Sequence, residues 1–534
     1  MRQKLRELSK NLAIYGAGEV AIQVVNFLLL PLYVVYLTPA DYGVLALLAS
    51  VEAPVKLCFR WGVDGAFMRY WFDAEGEHEQ QRLASTLFFF LLGVNGALLL
   101  VAVAAAPFIS ERLLQAPGYT LALQLVLLNT FAIGFTFIPF HVLRLEKRAR
   151  EFSGLTFARS ISTLLLRIFL VMGMGMGVLG IVWADIAVTA VLMLVMLRWF
   201  APLIRPMFSP SLLRRSLAFG LPRVPHGLAL QVMAVGDRIV LSQFVTMRDL
   251  GFYSMGVSFG LVGKIALGAF EYAWAPFYYA TAREPDARRL FSVVTTYAIA
   301  VLALMTAGLS ATAYDLLDVV TRGQYVDSAS VVTWIAVGVF FHGAYLLTSI
   351  GLNITSRTRY YPLATATGAA VNITLCLMLV PRFGILGAAW ANAAAYGIQA
   401  MFAFGLSQRF YPIPYEYGRI LRALGAAAVA YGAAGALPPM AAPVGVLVRG
   451  SMVVAVMGGL LLMTRFFNAA ELRALSALRR RRPPEAAERP QAETTEVAGE
   501  IVAVELLDGM AAPGAAAPDD RAPGRPAGRA ENAG

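Results

Sequence analysis

Apolar residues in this chain come in long runs, not in the short alternations of a half-buried strand or the one-sided stripes of a surface helix. About fourteen runs of ~17–25 residues, the length that crosses a bilayer as a helix, lie near 11–37, 42–60, 83–106, 119–142, 152–173, 178–200, 213–245, 251–280, 290–311, 329–352, 360–380, 384–406, 418–437 and 445–467. The basic opening segment leads into a first run far longer than the ~7–15 residues of a signal core, so it reads as a retained span. The pattern predicts an all-α polytopic membrane protein.

The gaps between runs test that count, because short cytoplasmic loops concentrate Lys and Arg. Every second gap is basic: Arg69 and Arg82; Arg144, Lys147, Arg148 and Arg150; Arg205, Arg214 and Arg215; Arg283, Arg288 and Arg289; Arg357 and Arg359; Arg409 and Arg419. The gaps between them hold almost no basic residues. Arg479 to Arg482 follow the last run, so both termini are expected in the cytoplasm.

Composition agrees with the runs. Of 534 residues 58% are hydrophobic and 14% charged, with a mean hydropathy of +0.64, which excludes a soluble enzyme on a single anchor. The net charge of +11 would suggest nucleic acid in a soluble protein; here the cations sit in loops and set orientation instead. Cys58 and Cys376 lie in apolar sequence with no His or Cys nearby, so they read as packing residues, and no metal site is expected. From about Pro483 the chain is rich in Ala, Pro, Glu and Gly and is expected to be a disordered cytoplasmic tail.

Two passages recur at nearly the same offset, 208 and 207 residues. Thr38, Asp41 and Gly43 are echoed by Thr246, Asp249 and Gly251; Gly177-Val178-Leu179-Gly180 with Trp183 is echoed by Gly384-Ile385-Leu386-Gly387 with Trp390. An even number of spans separates the copies, as in parallel repeats that enclose a substrate path. The expected division is two pseudo-symmetric six-helix lobes, 1–206 and 207–410, accessory spans in 411–470, and a tail over 471–534.

The chain resembles the polysaccharide transporter branch of the multidrug/oligosaccharidyl-lipid/polysaccharide exporter superfamily, the Wzx-like flippases. The resemblance rests on Asn26 to Tyr33 running into Thr38 to Gly43, on Phe219-Gly220-Leu221-Pro222, on Gly236-Asp237-Arg238, on Gly251-Phe252-Tyr253-Ser254 and on Gly384 to Trp390. It covers roughly residues 8–467. It implies a flippase that carries undecaprenyl-diphosphate-linked oligosaccharide, an O-antigen, capsule or exopolysaccharide unit, to the periplasmic leaflet by alternating access. It also implies polysaccharide polymerase and export machinery as partners, besides membrane lipids.

Charges within spans cost about 2.5–3.5 kcal/mol each on insertion scales, so each asks for a cavity or a partner. Glu52, Lys56, Arg60 and Asp64 recur every fourth residue and are expected on one helical face; Glu19, Gln23 and Asn26 form a similar stripe. The cavity candidates that would grip a diphosphate are Lys56, Arg60, Arg159, Arg167, Arg223 and Lys264. The coupling or ion-pair candidates are Glu19, Glu52, Asp64, Asp185, His226, Asp237 and Glu271. Lys56 and Lys264 occupy equivalent repeat positions and would face each other across a central cavity; the alternative is lobe-stabilising pairs such as Glu52 with Lys56 and Glu271 with Lys264. Arg69 and Arg238, near span ends, are expected to reach to the interface. Pro222 and Pro225 should break the seventh run, and Gly173 and Gly177 offer a weak helix-packing pattern.

No P-loop and no nucleophile with its base is present, so no cofactor is expected, and the drive would be the membrane potential or a proton or sodium gradient. A lipid II flippase and a cation-coupled multidrug antiporter are rivals within transport; the antiporter would carry more carboxylates than cations. A membrane polysaccharide polymerase or ligase is the rival from another class, and it would need a larger outer loop than any here.

Overall fold

The computed structural model describes residues 30–113, 115 and 117–468. The expected stripe of Glu19, Gln23 and Asn26, most of the first span and the tail lie outside the described residues. The elements are α1 (Leu30–Tyr36), α2 (Pro39–Cys58), α3 (Val63–Asp73), α4 (Glu77–Phe108), α5 (Thr120–Gly134), α6 (Phe137–Leu145), α7 (Ala149–Ile168), α8 (Gly177–Phe200), α9 (Pro210–Gly220), α10 (Val224–Leu241), α11 (Met247–Gly260), α12 (Gly263–Thr281), α13 (Ala287–Thr321), α14 (Ala329–Thr348), α15 (Tyr361–Phe410), α16 (Tyr417–Gly435) and α17 (Ala442–Met463). No strand occurs among the described residues.

Ten helical stretches there are long and apolar enough to cross a membrane. Several are sparsely covered by protein, with 6% of the Ala149–Gly173 window and 17% of the Ala442–Met463 window buried. Leu100, Val101, Leu194, Met401 and Leu447 point outward. Such a surface is stable only against lipid, since in water each exposed apolar area costs about 25 cal/mol per Å². The protein is a multi-pass membrane protein.

The expected fourteen spans are not all found as separate crossings, for local reasons. The runs 360–380 and 384–406 do form two helical arms, both within α15: the chain reverses at Gly384 (φ 55°, ψ −132°), and Gln399 of the second arm donates to Thr365 Oγ1 of the first at 3.4 Å. The run 213–245 is divided into α9, a 3-10 turn over Leu221–Arg223, and α10, because Pro222 and Pro225 cannot donate to a helical ladder. The run 418–437 forms α16, which carries Arg419 and Arg422 and is not among the ten.

Thr38 and Thr246 build the same helix start. Each hydroxyl accepts from the backbone N–H three residues on, at 3.2 Å, and donates to that residue's carboxylate, Asp41 or Asp249, at 2.7 Å. Tyr119, between α4 and α5, donates to Asp41 Oδ1 at 3.0 Å; burial first and this bond second push its pKa above the usual tyrosine value. The second repeated passage matches too: Gly177 and Gly384 both have φ 55°, and Gly180 and Gly387 both press on the preceding segment, at Leu170 and Leu379. Gly173 and Gly177 do not pack against another helix. The first touches only Phe169 of its own segment, and the second has nothing within 4 Å.

The N-terminal half meets the C-terminal half where α2 crosses α11. A Cβ on Gly43 would lie 2.1 Å from the Met247 carbonyl oxygen, and one on Gly251 would lie 1.8 Å from that of Pro39. A second meeting point lies at the far end of α2, where Gly62 and Gly220 would each place a Cβ within 2.5 Å of the other's carbonyl oxygen. Gly62 has φ 68°, and with Trp61 at φ 50° it ends one helix and begins the next. Trp61 donates to Asn95 Oδ1 (2.8 Å), and Asn95 donates to the Phe59 carbonyl (2.7 Å), which anchors this turn to α4.

α16 and α17 pack on α13 through Ala300, Ala303, Ala307, Ala423, Ala427 and Ala430. Arg449 pairs with the buried Asp315 at 3.3 Å, and only a glycine at position 445 fits beside that carboxylate.

Candidate functional site

The charged candidates fall into separate groups. In the N-terminal half, Glu52 and Lys56 of α2, Arg159 and Arg167 of α7 and Asp185 of α8 form one cluster with Arg60, in the turn after α2, and Asp64. Arg167 grips Asp185 through two parallel bonds, Nε to Oδ1 at 2.8 Å and Nη2 to Oδ2 at 2.7 Å, and its Nη1 donates to the Tyr33 hydroxyl at 3.1 Å. This fork is the strong form of an ion pair. Arg60 Nη1 lies 3.0 Å from Asp64 Oδ2. The turn at 59–62 interrupts the expected continuous stripe, so Asp64 belongs to α3 while Glu52 and Lys56 stay on α2. Lys56, Arg159 and Glu52 make no ion pair with any described residue, so the expected Glu52–Lys56 bridge is not formed, although each lies in the other's field.

In the C-terminal half, Lys264 of α12 lies near His342 of α14 and near Glu271 of its own helix. Lys264 and Glu271 are not within ion-pair distance of each other. The Lys264 side chain is exposed. The charged neighbours of Lys56 are Glu52, Arg60 and Arg159, and those of Lys264 are Glu271 and His342. The two repeat-equivalent lysines thus belong to different halves and do not act on each other directly.

Asp237 lies in a third place, 1% exposed, between α10 and α11. Tyr253 donates a short hydrogen bond to Oδ2, and the Arg238 backbone N–H donates to Oδ1 at 2.8 Å. Arg238 turns inward to Asp237 Oδ1 (3.5 Å) and the Ala234 carbonyl (2.9 Å), with a side chain only 12% exposed, instead of reaching to the interface. The buried Asn372 nearby on α15 leaves both side-chain polar atoms without a protein partner.

Arg223 sits at the second meeting point of the halves, its guanidinium 4.1 Å from the centre of the Phe219 ring. His226, one turn on, is half-buried with Nδ1 unpartnered. Glu19 lies outside the described residues. Among the described residues no group of three His, Cys, Asp or Glu is placed to hold a metal ion. Sequence reasoning missed Tyr33, Tyr253 and the glycine contacts. The paired Gly43 and Gly251 were readable as a repeat, but nothing in the sequence says that they touch.

The sequence model of a family described as "Polysaccharide biosynthesis protein" matches residues 36–330, more than half of the chain. No curated protein sequence matches. Among solved structures, the lipid II flippase MurJ in an inward closed conformation aligns with a TM-score of 0.68 at 13% identity, over 85% of this chain and 99% of that one. An inward-facing multidrug resistance MATE family transporter of the MOP superfamily aligns with a TM-score of 0.56 at 14% identity, over 74% and 97%. At these identities the likeness is one of fold.

Proposed function

Because the chain belongs to the polysaccharide biosynthesis protein family, we propose that it flips an undecaprenyl-diphosphate-linked oligosaccharide across the bacterial inner membrane by alternating access. The supporting observation is the excess of cations held at membrane depth. With Arg167 bound to Asp185 and Arg60 to Asp64, Lys56 and Arg159 stand against Glu52 alone in the N-terminal cluster, and Lys264 stands exposed with Glu271 as its carboxylate neighbour in the other half. Lipid cannot solvate a diphosphate; ammonium and guanidinium groups can. The division into lobes 1–206 and 207–410, accessory spans within 411–470 and a tail fits this reading, with both termini in the cytoplasm. Glu52, Glu271, His226 and Asp237 are the coupling candidates for a proton or sodium gradient. Moving an anionic headgroup outward across an inside-negative membrane is itself downhill by about 2.3 kcal/mol per charge per 100 mV.

A lipid II flippase is the second reading, favoured by the fold shared with MurJ. The experiment uses the purified full chain in vesicles holding a potential, loaded either with a lipid-linked oligosaccharide or with lipid II. The oligosaccharide donor should appear in the opposite leaflet, and Lys56→Ala or Lys264→Ala should slow it without lowering the protein's abundance. Movement of lipid II alone would select the second reading. Movement of neither would end both.

A further inference from the structure

Three arginines gather around two rings where the halves meet at Gly62 and Gly220. Arg69 and Tyr70 come from α3, Arg215 and Phe219 from α9, and Arg223 from the 3-10 turn that follows. The rings pack edge to face, 6.1 Å between centres. Arg69 shares the Tyr70 ring with Arg215, at 5.9 and 5.1 Å, and the Phe219 ring with Arg223, at 5.0 and 4.1 Å. Three positive charges thus stand within reach of one pair of rings. Arg69 and Arg215 are exposed, and no carboxylate among the described residues pairs with either. The arrangement is built across the interface: Arg223 Nη1 lies 2.6 Å from where a Cβ on Gly65 would stand, so the glycine of one half leaves room for the guanidinium of the other. The Tyr70 hydroxyl also reaches the Arg215 carbonyl, at 3.5 Å.

A guanidinium lying on a ring keeps its in-plane N–H fork for oxygen acceptors. Like charges held this close favour a multiply charged anion between them, and Arg69 and Arg215 stand in the basic gaps of the sequence. We propose that Arg69, Arg215 and Arg223 form a clamp for a diphosphate group at the seam between the halves, the first contact of the cargo before it reaches the interior cations. This rests on the lipid-linked reading above. An anion seated there touches both halves at once, and so it holds the Gly62–Gly220 contact shut while it is bound.

The test is native mass spectrometry of the detergent-solubilised full chain, titrated with undecaprenyl diphosphate, phosphatidylglycerol or inorganic pyrophosphate. Arg69→Gln with Arg215→Gln should weaken undecaprenyl diphosphate binding at least tenfold at unchanged melting temperature, and leave phosphatidylglycerol binding unaltered. Arg69→Lys, which keeps the charge and loses the fork, should fall between. Pyrophosphate that binds wild type and not the double variant supports the clamp and identifies a soluble diphosphate as a sufficient ligand. Equal binding of undecaprenyl diphosphate by wild type and the folded double variant overturns the clamp. So does an equal loss for phosphatidylglycerol, which would mark a contact with bulk lipid. Failure of the flippase reading looks different: wild type moves no donor in vesicles, whatever the arginine variants bind.

Discussion

Gly251→Ala tests whether the two halves meet backbone to backbone. The added methyl would stand 1.8 Å from the Pro39 carbonyl oxygen and 2.7 Å from its carbon, where ordinary contact begins at 3.4 Å. The obstacle is main chain of the facing helix, so no side chain can swing aside; α2 and α11 must separate by about 1.6 Å. Overpacking of this kind costs about 1–3 kcal/mol, and a rigid obstacle belongs at the upper end. Alanine's better helix propensity returns ~1 kcal/mol, leaving a net loss of about 2 kcal/mol. For a chain of 534 residues, with an unfolding entropy of about 2.1 cal/mol/K per residue, that lowers the melting temperature by about 2 °C. The assay is thermal unfolding in one detergent at one scan rate, since unfolding of such proteins is commonly irreversible. Gly308→Ala, in α13 with nothing within 4 Å, is the matched control and should melt at or above wild type. Gly43→Ala, which meets the Met247 carbonyl oxygen at 2.1 Å, should behave as Gly251→Ala does. If Gly251→Ala melts with Gly308→Ala, the close crossing of α2 and α11 is wrong.

Asp185→Asn should cost about 1–3 kcal/mol, less than for a fully buried pair because the partners are 21% and 28% exposed, and Arg167→Gln added to it should recover part of the loss in a double-mutant cycle. Additive single losses would show that the fork contributes nothing. Arg449→Leu strands the buried Asp315 and should cost about 3–5 kcal/mol, with faster hydrogen exchange confined to α16 and α17; exchange unchanged there would mean that the pair does not hold these helices. Thr38→Ala and Thr246→Ala should each lower stability by ~1 kcal/mol, read as equal melting shifts, and unequal shifts would deny that the two caps are equivalent.

The sequence was most informative where a requirement is set by lipid. Apolar run length announced the helices, because that signal is local; Thr38, Asp41, Thr246 and Asp249 were read only as a repeated passage, and the structure shows each pair to be a capping box. The break after Gly220 was likewise legible from two prolines. The turn at Trp61 and Gly62 was not, since a lone glycine in an apolar run carries no sign of its φ. The charged stripe of α2 was read as continuous for the same reason. Arg167 and Asp185 were both singled out, but their pairing joins α7 to α8 across 18 residues, and spacing on one helix cannot reveal it. Arg238 was expected to leave for the interface; a neighbouring carboxylate and the Ala234 carbonyl oxygen hold it inward instead.

The fork between Arg167 and Asp185 and the bridge between Arg60 and Asp64 bear on how an electric field acts on this molecule. A dipole fixed between adjacent atoms moves almost no net charge through the voltage drop when its helices tilt, so these groups contribute little gating charge. The field is left to act on the charges that no bridge neutralises, Glu52, Lys56 and Arg159 in one half and Lys264 in the other, so neutralising one of these should change any voltage response more than breaking either bridge.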